Sequence, residues 1–117
     1  MGIDFSHCDA HWAYSGFHTF RTNLAKEIGI NLENMLGFGG SFKWDNVQDD
    51  IVPLLNHSDC DGELSVEECK RVAPRLRELV SNWTLWPLDK GYDHEHALLL
   101  AEGMDSAVER GEPLRFI

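Results

Sequence analysis

Basic side chains are scarce in this chain. Ten Lys and Arg stand against 20 Asp and Glu in 117 residues, a formal charge of -10. A surface of that sign repels phosphate backbones and anionic headgroups, so binding to a nucleic-acid backbone or a membrane surface is not expected. Long apolar runs are missing too, and no stretch approaches the ~20 residues that a transmembrane helix needs. The first residues lack the basic and apolar regions of a secretory signal. Cysteine is limited to Cys8, Cys60 and Cys69, an odd number with no C-x-x-C pair. That pattern argues against a disulfide framework, favours free thiols, and points to the cytoplasm. His7, Cys8 and His11, or His57 with Cys60 and Cys69, offer zinc-ligand residue types without a recognised ligand spacing.

What is present is an ordinary globular balance, 43% hydrophobic and 26% charged. The length suits a single globular domain over residues 1–117, with a core that needs no disulfide. Periodicity makes the fold mainly α. Phe17, Phe20, Leu24 and Ile28 recur at helical spacing in a segment from Ser15 to Ile28 that exits at Gly29. Asn31 reads as the cap of a short turn over Leu32–Leu36. A second helix starts at Val66, with Val66, Cys69, Val72, Ala73, Leu76, Leu79 and Val80 on one face. Pro74 inside it predicts a kink or a restart near Ala73. Asp93 reads as the cap of a last helix that ends at Gly111. Leu114–Ile117 is then extended, and could pair with Gly2–Phe5 as a minor two-stranded β element from the termini.

The segment with most chemical content is His57-Ser58-Asp59-Cys60-Asp61-Gly62-Glu63-Leu64-Ser65-Val66-Glu67-Glu68. Calcium is a hard cation that takes 6–8 oxygen ligands, so carboxylates must converge on it from a tight bend. Asp59 and Asp61 would supply side-chain oxygens, and Gly62 would permit the sharp turn. Glu63 would offer its carbonyl, Ser65 would bind directly or through water, and Leu64 would point into the core. Glu68, on the first turn of the following helix, would close the site with both carboxylate oxygens.

These twelve residues resemble an EF-hand calcium loop. The resemblance covers the loop and the helix after it, and implies calcium or another divalent cation as ligand. His57 stands where the pattern has Asp, Pro53 interrupts the entering segment, and no second loop of the kind follows. The chain as a whole looks like small uncharacterised proteins of bacteria and their phages that share a Ser-Asp-Cys-Asp-Gly-Glu-Leu-Ser segment. That likeness implies a cytosolic prokaryotic setting and carries no activity.

Two other readings stand beside the metal loop. Ser65-Val66-Glu67-Glu68 is also a capping box, so Asp59, Asp61 and Gly62 could form a metal-free turn ahead of a helix. The aromatic set, above all Trp44, Trp83 and Trp86 among polar loop residues, could line a ligand pocket. No nucleophile elbow or phosphate loop supports an enzyme, and none is expected. The sequence therefore leads to a non-enzymatic, acidic, mainly helical protein with one structural, EF-hand-like divalent-metal site at His57, Asp59, Asp61, Glu63, Ser65 and Glu68. The alternative is a ligand- or partner-binding module, such as a phage defence-blocking or nucleotide-sequestering protein. A protein partner, a small-molecule ligand and a homodimer all stay open.

Overall fold

The N-terminal residues alternate between core and solvent, and this alternation makes a strand pair. Gly2–Asp4 (β1) runs antiparallel to His11–Ala13 (β2), with Ile3 opposite Trp12. Because side chains alternate across a strand, both of these residues enter the core together. The computed structural model describes residues 2–57, 62–81 and 90–117, with Lys90 described by its backbone alone. β2 leads directly into Tyr14–Glu27 (α1), whose buried Phe17, Phe20 and Leu24 form the expected stripe. At its end Gly29, at φ +83°, donates to the Lys26 carbonyl and Ile30 N–H to that of Ala25. This is the glycine-terminated exit that the sequence signals. Short 3-10 turns follow at Leu32–Asn34 and Trp44–Asn46, and the Asn31 side chain caps the first by accepting the Glu33 N–H.

Val52–Leu55 (α2) is a single turn with Pro53 in its first positions, where a missing N–H costs no intrahelical bond. Glu63–Leu64 (β3) leads into Val66–Ser81 (α3), which packs against Lys90–Arg110 (α4) in the most extensive contact between elements. Leu114–Arg115 (β4) closes the chain by pairing antiparallel with β3, Leu114 opposite Leu64. Beyond β4, Phe116 bridges Phe5, flanked by reciprocal hydrogen bonds between Asp4 and Ile117. The tail thus meets the N-terminal segment as expected. It also borders the candidate loop, which sequence patterning did not reveal.

Two helix expectations need correction. Of the kink or restart expected near Ala73, the restart is absent, since α3 runs through Pro74 unbroken. Pro74 lies on the exposed face, where water can take over the carbonyl that its ring leaves unbonded. α4 begins at Lys90, three residues before Asp93, so Asp93 is not its cap. The Asp93 carboxylate instead accepts the Trp12 indole N–H at 2.8 Å inside the core. A buried indole requires such an acceptor, and helical periodicity carries no trace of that need. Trp12 is the hub of the aromatic core, stacked on Phe20 at 4.6 Å and packed edge-on against Phe5. Among the described residues, no helix is long and apolar enough to cross a membrane.

The segment entering α2 is tied to α3 by a forked pair. Arg75 Nε and Nη2 donate to the two Asp49 oxygens at 2.9 Å each, and Asp49 also accepts the Ile51 N–H at 3.0 Å. Burial alone would raise the Asp49 carboxyl, but Arg75 and the Ile51 N–H together hold it below the usual carboxylate range. A depressed folded-state pKa gives stability that is present above the unfolded value and lost as pH falls through the folded one. Arg75→Ala is therefore expected to cost about 1.5 kcal/mol at neutral pH and markedly less in acid, where the Asp49 carboxyl is protonated in both states. Urea melts of both proteins at neutral and acid pH check this, and a penalty independent of pH would show that the pair does not titrate as argued.

Candidate metal loop

Four residues of the loop, Gly62, Leu64, Ser65 and Glu68, carry the local geometry that the sequence implies. Gly62 adopts φ +94°, a left-handed conformation that costs glycine little. Leu64 is fully buried and Glu63 exposed, so the short strand points its aliphatic residue inward, as an EF-hand-like loop requires at its eighth position. Ser65 and Glu68 form the reciprocal capping box: the Ser65 N–H donates to Glu68 Oε1 at 2.8 Å, and the Glu68 N–H to Ser65 Oγ at 3.1 Å. This box holds the Glu68 carboxylate back over the loop at the start of α3. Asp59 and Asp61, with Ser58 and Cys60, lie outside the described residues.

His57 turns its Nε2 toward the backbone of the loop. Its Nε2 lies 3.1 Å from the Glu63 carbonyl oxygen. A carbonyl only accepts, so this nitrogen carries the proton and points an N–H at the oxygen expected to face the cation. The ring is fixed there from two sides. Phe116 stacks on it at a centroid distance of 3.9 Å, and the α-hydrogen side of Gly62 leaves it room, since a Cβ at that position would lie 3.1 Å from the ring. The Phe116 N–H also donates to the Gly62 carbonyl at 2.9 Å. The imidazole is thus a latch across the loop, closed by the C-terminal tail.

Arg21 holds the other end, and nothing in the motif announced it. It is 2% exposed on α1, an unusual burial for a charged side chain. Its Nη1 reaches the Leu54, Leu55 and His57 carbonyls, the last at 2.6 Å. Its guanidinium lies over the Phe17 ring at 4.6 Å. The last carbonyls of α2 have no intrahelical donors, and a cation at a helix C-terminus satisfies them. An arginine at an otherwise apolar stripe position is the signal that could have found it. In oxygen chemistry the described part of the loop fits a hard cation: the Glu63 carbonyl, Ser65 Oγ and Glu68 are all suitable donors. The His57 Nε2, whose N–H faces the Glu63 carbonyl, does not fit.

The remaining candidates separate clearly. Trp44 is half-buried, donates its indole N–H to the Leu36 carbonyl at 3.0 Å and packs edge-on against Phe38. Its polar tip is therefore engaged internally. Trp83 and Trp86 lie outside the described residues. Among the described residues no group of three or more His, Cys, Asp or Glu is placed to hold a metal, so His7, Cys8 and His11 do not form one, while Cys60 of the second zinc-type cluster lies outside the described residues. Cys69 is buried, donates to the Leu64 carbonyl, and burial pushes its thiol up to about 11, so it is neither a ligand nor a reactive thiol. His96 accepts the His11 N–H and stacks on Tyr92 at 4.0 Å, a packing role. Compared with family models, curated proteins and solved structures, the chain matches none of them.

Proposed function

We propose that this is a non-enzymatic, divalent-cation-binding protein in which calcium fastens the segment after α2 to the start of α3. The observation that carries the reading is the junction itself. A left-handed Gly62, an inward Leu64 on β3 and a Glu68 carboxylate poised by its capping box occur at the loop positions that the cation chemistry demands. Asp59, Asp61, Ser65 and Glu68 would supply side-chain oxygens and Glu63 its carbonyl. The cation would provide a fixed cross-link and no reaction. Free Cys8 and Cys69 suit a cytoplasmic setting.

In a paired EF-hand arrangement the short loop strand needs a partner strand. Here β4 fills that place within the same chain, which supports a solitary site that needs no second loop. His57 would compete with the cation for the Glu63 carbonyl, so affinity would lie toward the weak end of the sensor range, roughly micromolar or weaker.

His57→Asp tests both halves of this reading. The change removes the N–H from Glu63 and adds a hard ligand, so calcium affinity is expected to rise about 10-fold. The metal-free protein also loses the latch and the Phe116 stack, and is expected to be less stable by about 1 kcal/mol. Calorimetric titration and metal-free thermal melts read the two effects separately. Unchanged affinity would mean that position 57 is held away from the cation.

A further inference from the structure

On the opposite flank of β4, donors without partners converge on one cleft. It has a volume of about 600 Å³ and is lined by Ser6, His7, Ser106, Arg110, Glu112 and Arg115, with Pro113. Of the six arginines, Arg71, Arg75 and Arg77 on α3 are paired with carboxylates and Arg21 is buried against carbonyls. The other two, Arg110 and Arg115, both line this cleft, and neither enters a salt bridge or side-chain hydrogen bond among the described residues. With twice as many acidic as basic side chains in the chain, two arginines left unpaired at one place need a reason. Ser106, one turn before Arg110 on the same face of α4, also directs its hydroxyl to no partner among the described residues, unlike Thr19 and Thr22, which bond back to their own helix.

The obvious partner is present but held elsewhere. Glu112 sits between the two arginines in sequence, yet its Oε1 accepts from His7 Nε2 at 2.9 Å. His7 Nδ1 in turn accepts from Ser6 Oγ at 2.7 Å, and Ser6 Oγ accepts the Arg115 N–H at 2.8 Å. Each donor in this relay meets an acceptor, so Ser6 and His7 offer no free donor to the cleft, and Glu112 keeps its second oxygen and its charge beside the two arginines. His7 holds φ +69° to make it, the one left-handed residue other than glycine among those described. Such strain persists only where the surroundings enforce it. The Glu112 carboxyl is held below its usual range first by the His7 hydrogen bond and further by the field of Arg110 and Arg115.

We propose that this cleft binds a small phosphate-bearing anion, with Arg110 and Arg115 as its charged donors and Ser106 as a neutral one. Guanidinium groups are weakly hydrated and match phosphate oxygens in pairs, which suits two of them facing a shared space. The charge of the rest of the chain excludes a long polyanion and leaves room for a small one. This site is separate from the cation loop and does not depend on it.

The test is calorimetric titration of calcium-free protein with inorganic phosphate and with phenyl phosphate, at fixed ionic strength and neutral pH. Saturable one-site binding is expected, weakened about 10-fold or more by Arg115→Ala and by Arg110→Ala. Arg71→Ala removes the same charge from α3 and is expected to change affinity less than about 2-fold. Glu112→Gln removes the opposing carboxylate and should tighten binding. Tighter binding of phenyl phosphate assigns the cleft to phosphate esters, and tighter binding of phosphate assigns it to the free ion. All the substituted side chains except His7-bound Glu112 are free of described partners or exposed, and near-ultraviolet circular dichroism checks that each variant is folded. No saturable binding of either probe, or an equal loss in Arg71→Ala, overturns the proposal.

Discussion

Arg21→Ala is expected to be among the most damaging single substitutions, destabilising the protein by about 3–4 kcal/mol. The guanidinium is buried and donates to three main-chain carbonyls, at Leu54, Leu55 and His57. Its removal leaves those oxygens without a donor in a place that water reaches poorly, and each unmet buried acceptor costs about 1–3 kcal/mol, reduced by local relaxation. The cavity above Phe17 adds to the loss. Arg21→Lys should recover less than half, because one ammonium cannot span the three carbonyls or lie flat on the ring. Urea unfolding of the three proteins gives the numbers. A loss below about 1 kcal/mol for the alanine variant would mean that the end of α2 is held by other contacts.

The second large effect separates metal binding from helix capping. Glu68→Gln keeps a group that can return the capping-box hydrogen bond to the Ser65 N–H, since glutamine serves at that position as well as glutamate. It removes the carboxylate that would close the cation site from two oxygens. Metal-free stability is thus expected to change by less than about 0.5 kcal/mol, while calcium affinity falls about 100-fold. Glu68→Ala would lose both properties and could not tell them apart. If Glu68→Gln binds calcium like the parent protein, the Ser65–Glu68 pair is a helix cap and nothing more.

The parts of this fold that were legible in the sequence are those set by local rules. Helical spacing located α1 and α3, and Gly29 and Gly111 marked helix ends because only a left-handed residue completes those exits. The capping box at Ser65 was readable for the same reason. The misses were tertiary. Local rules start α4 at Asp93 because an aspartate near a helix start ordinarily caps it, whereas here it serves the Trp12 indole, 81 residues away in sequence. The restart at Pro74 did not occur because the ring falls on the solvent side. β1 pairing with β2, and β3 with β4, rests on three- and two-residue strands, too short for a period to register.

The candidate loop divides along the same line. Gly62, Leu64, Ser65 and Glu68 behave as their positions in the motif suggest, because turn and cap chemistry is local. His57 could be recognised as the odd residue of the pattern, but not as a latch. That role depends on Phe116 arriving from the far end of the chain to stack on its ring. The role of Arg21 is not legible in the sequence because its three acceptors are main-chain atoms, which leave no mark there.

The central claim is that the loop from His57 to Glu68 takes up calcium, and thermal melting of metal-stripped protein against rising calcium tests it most directly. Only the folded loop gathers the full set of oxygens, so bound calcium must stabilise the native state by mass action. The melting temperature is expected to climb continuously with calcium, gaining several degrees by about 100 times the dissociation constant, at which the added stability is about 2.7 kcal/mol. Glu68→Gln should remove most of that rise. A melting curve that stays in place up to about 10 mM calcium, in both proteins alike, would contradict the account and leave the loop a metal-free turn held by His57 and Phe116.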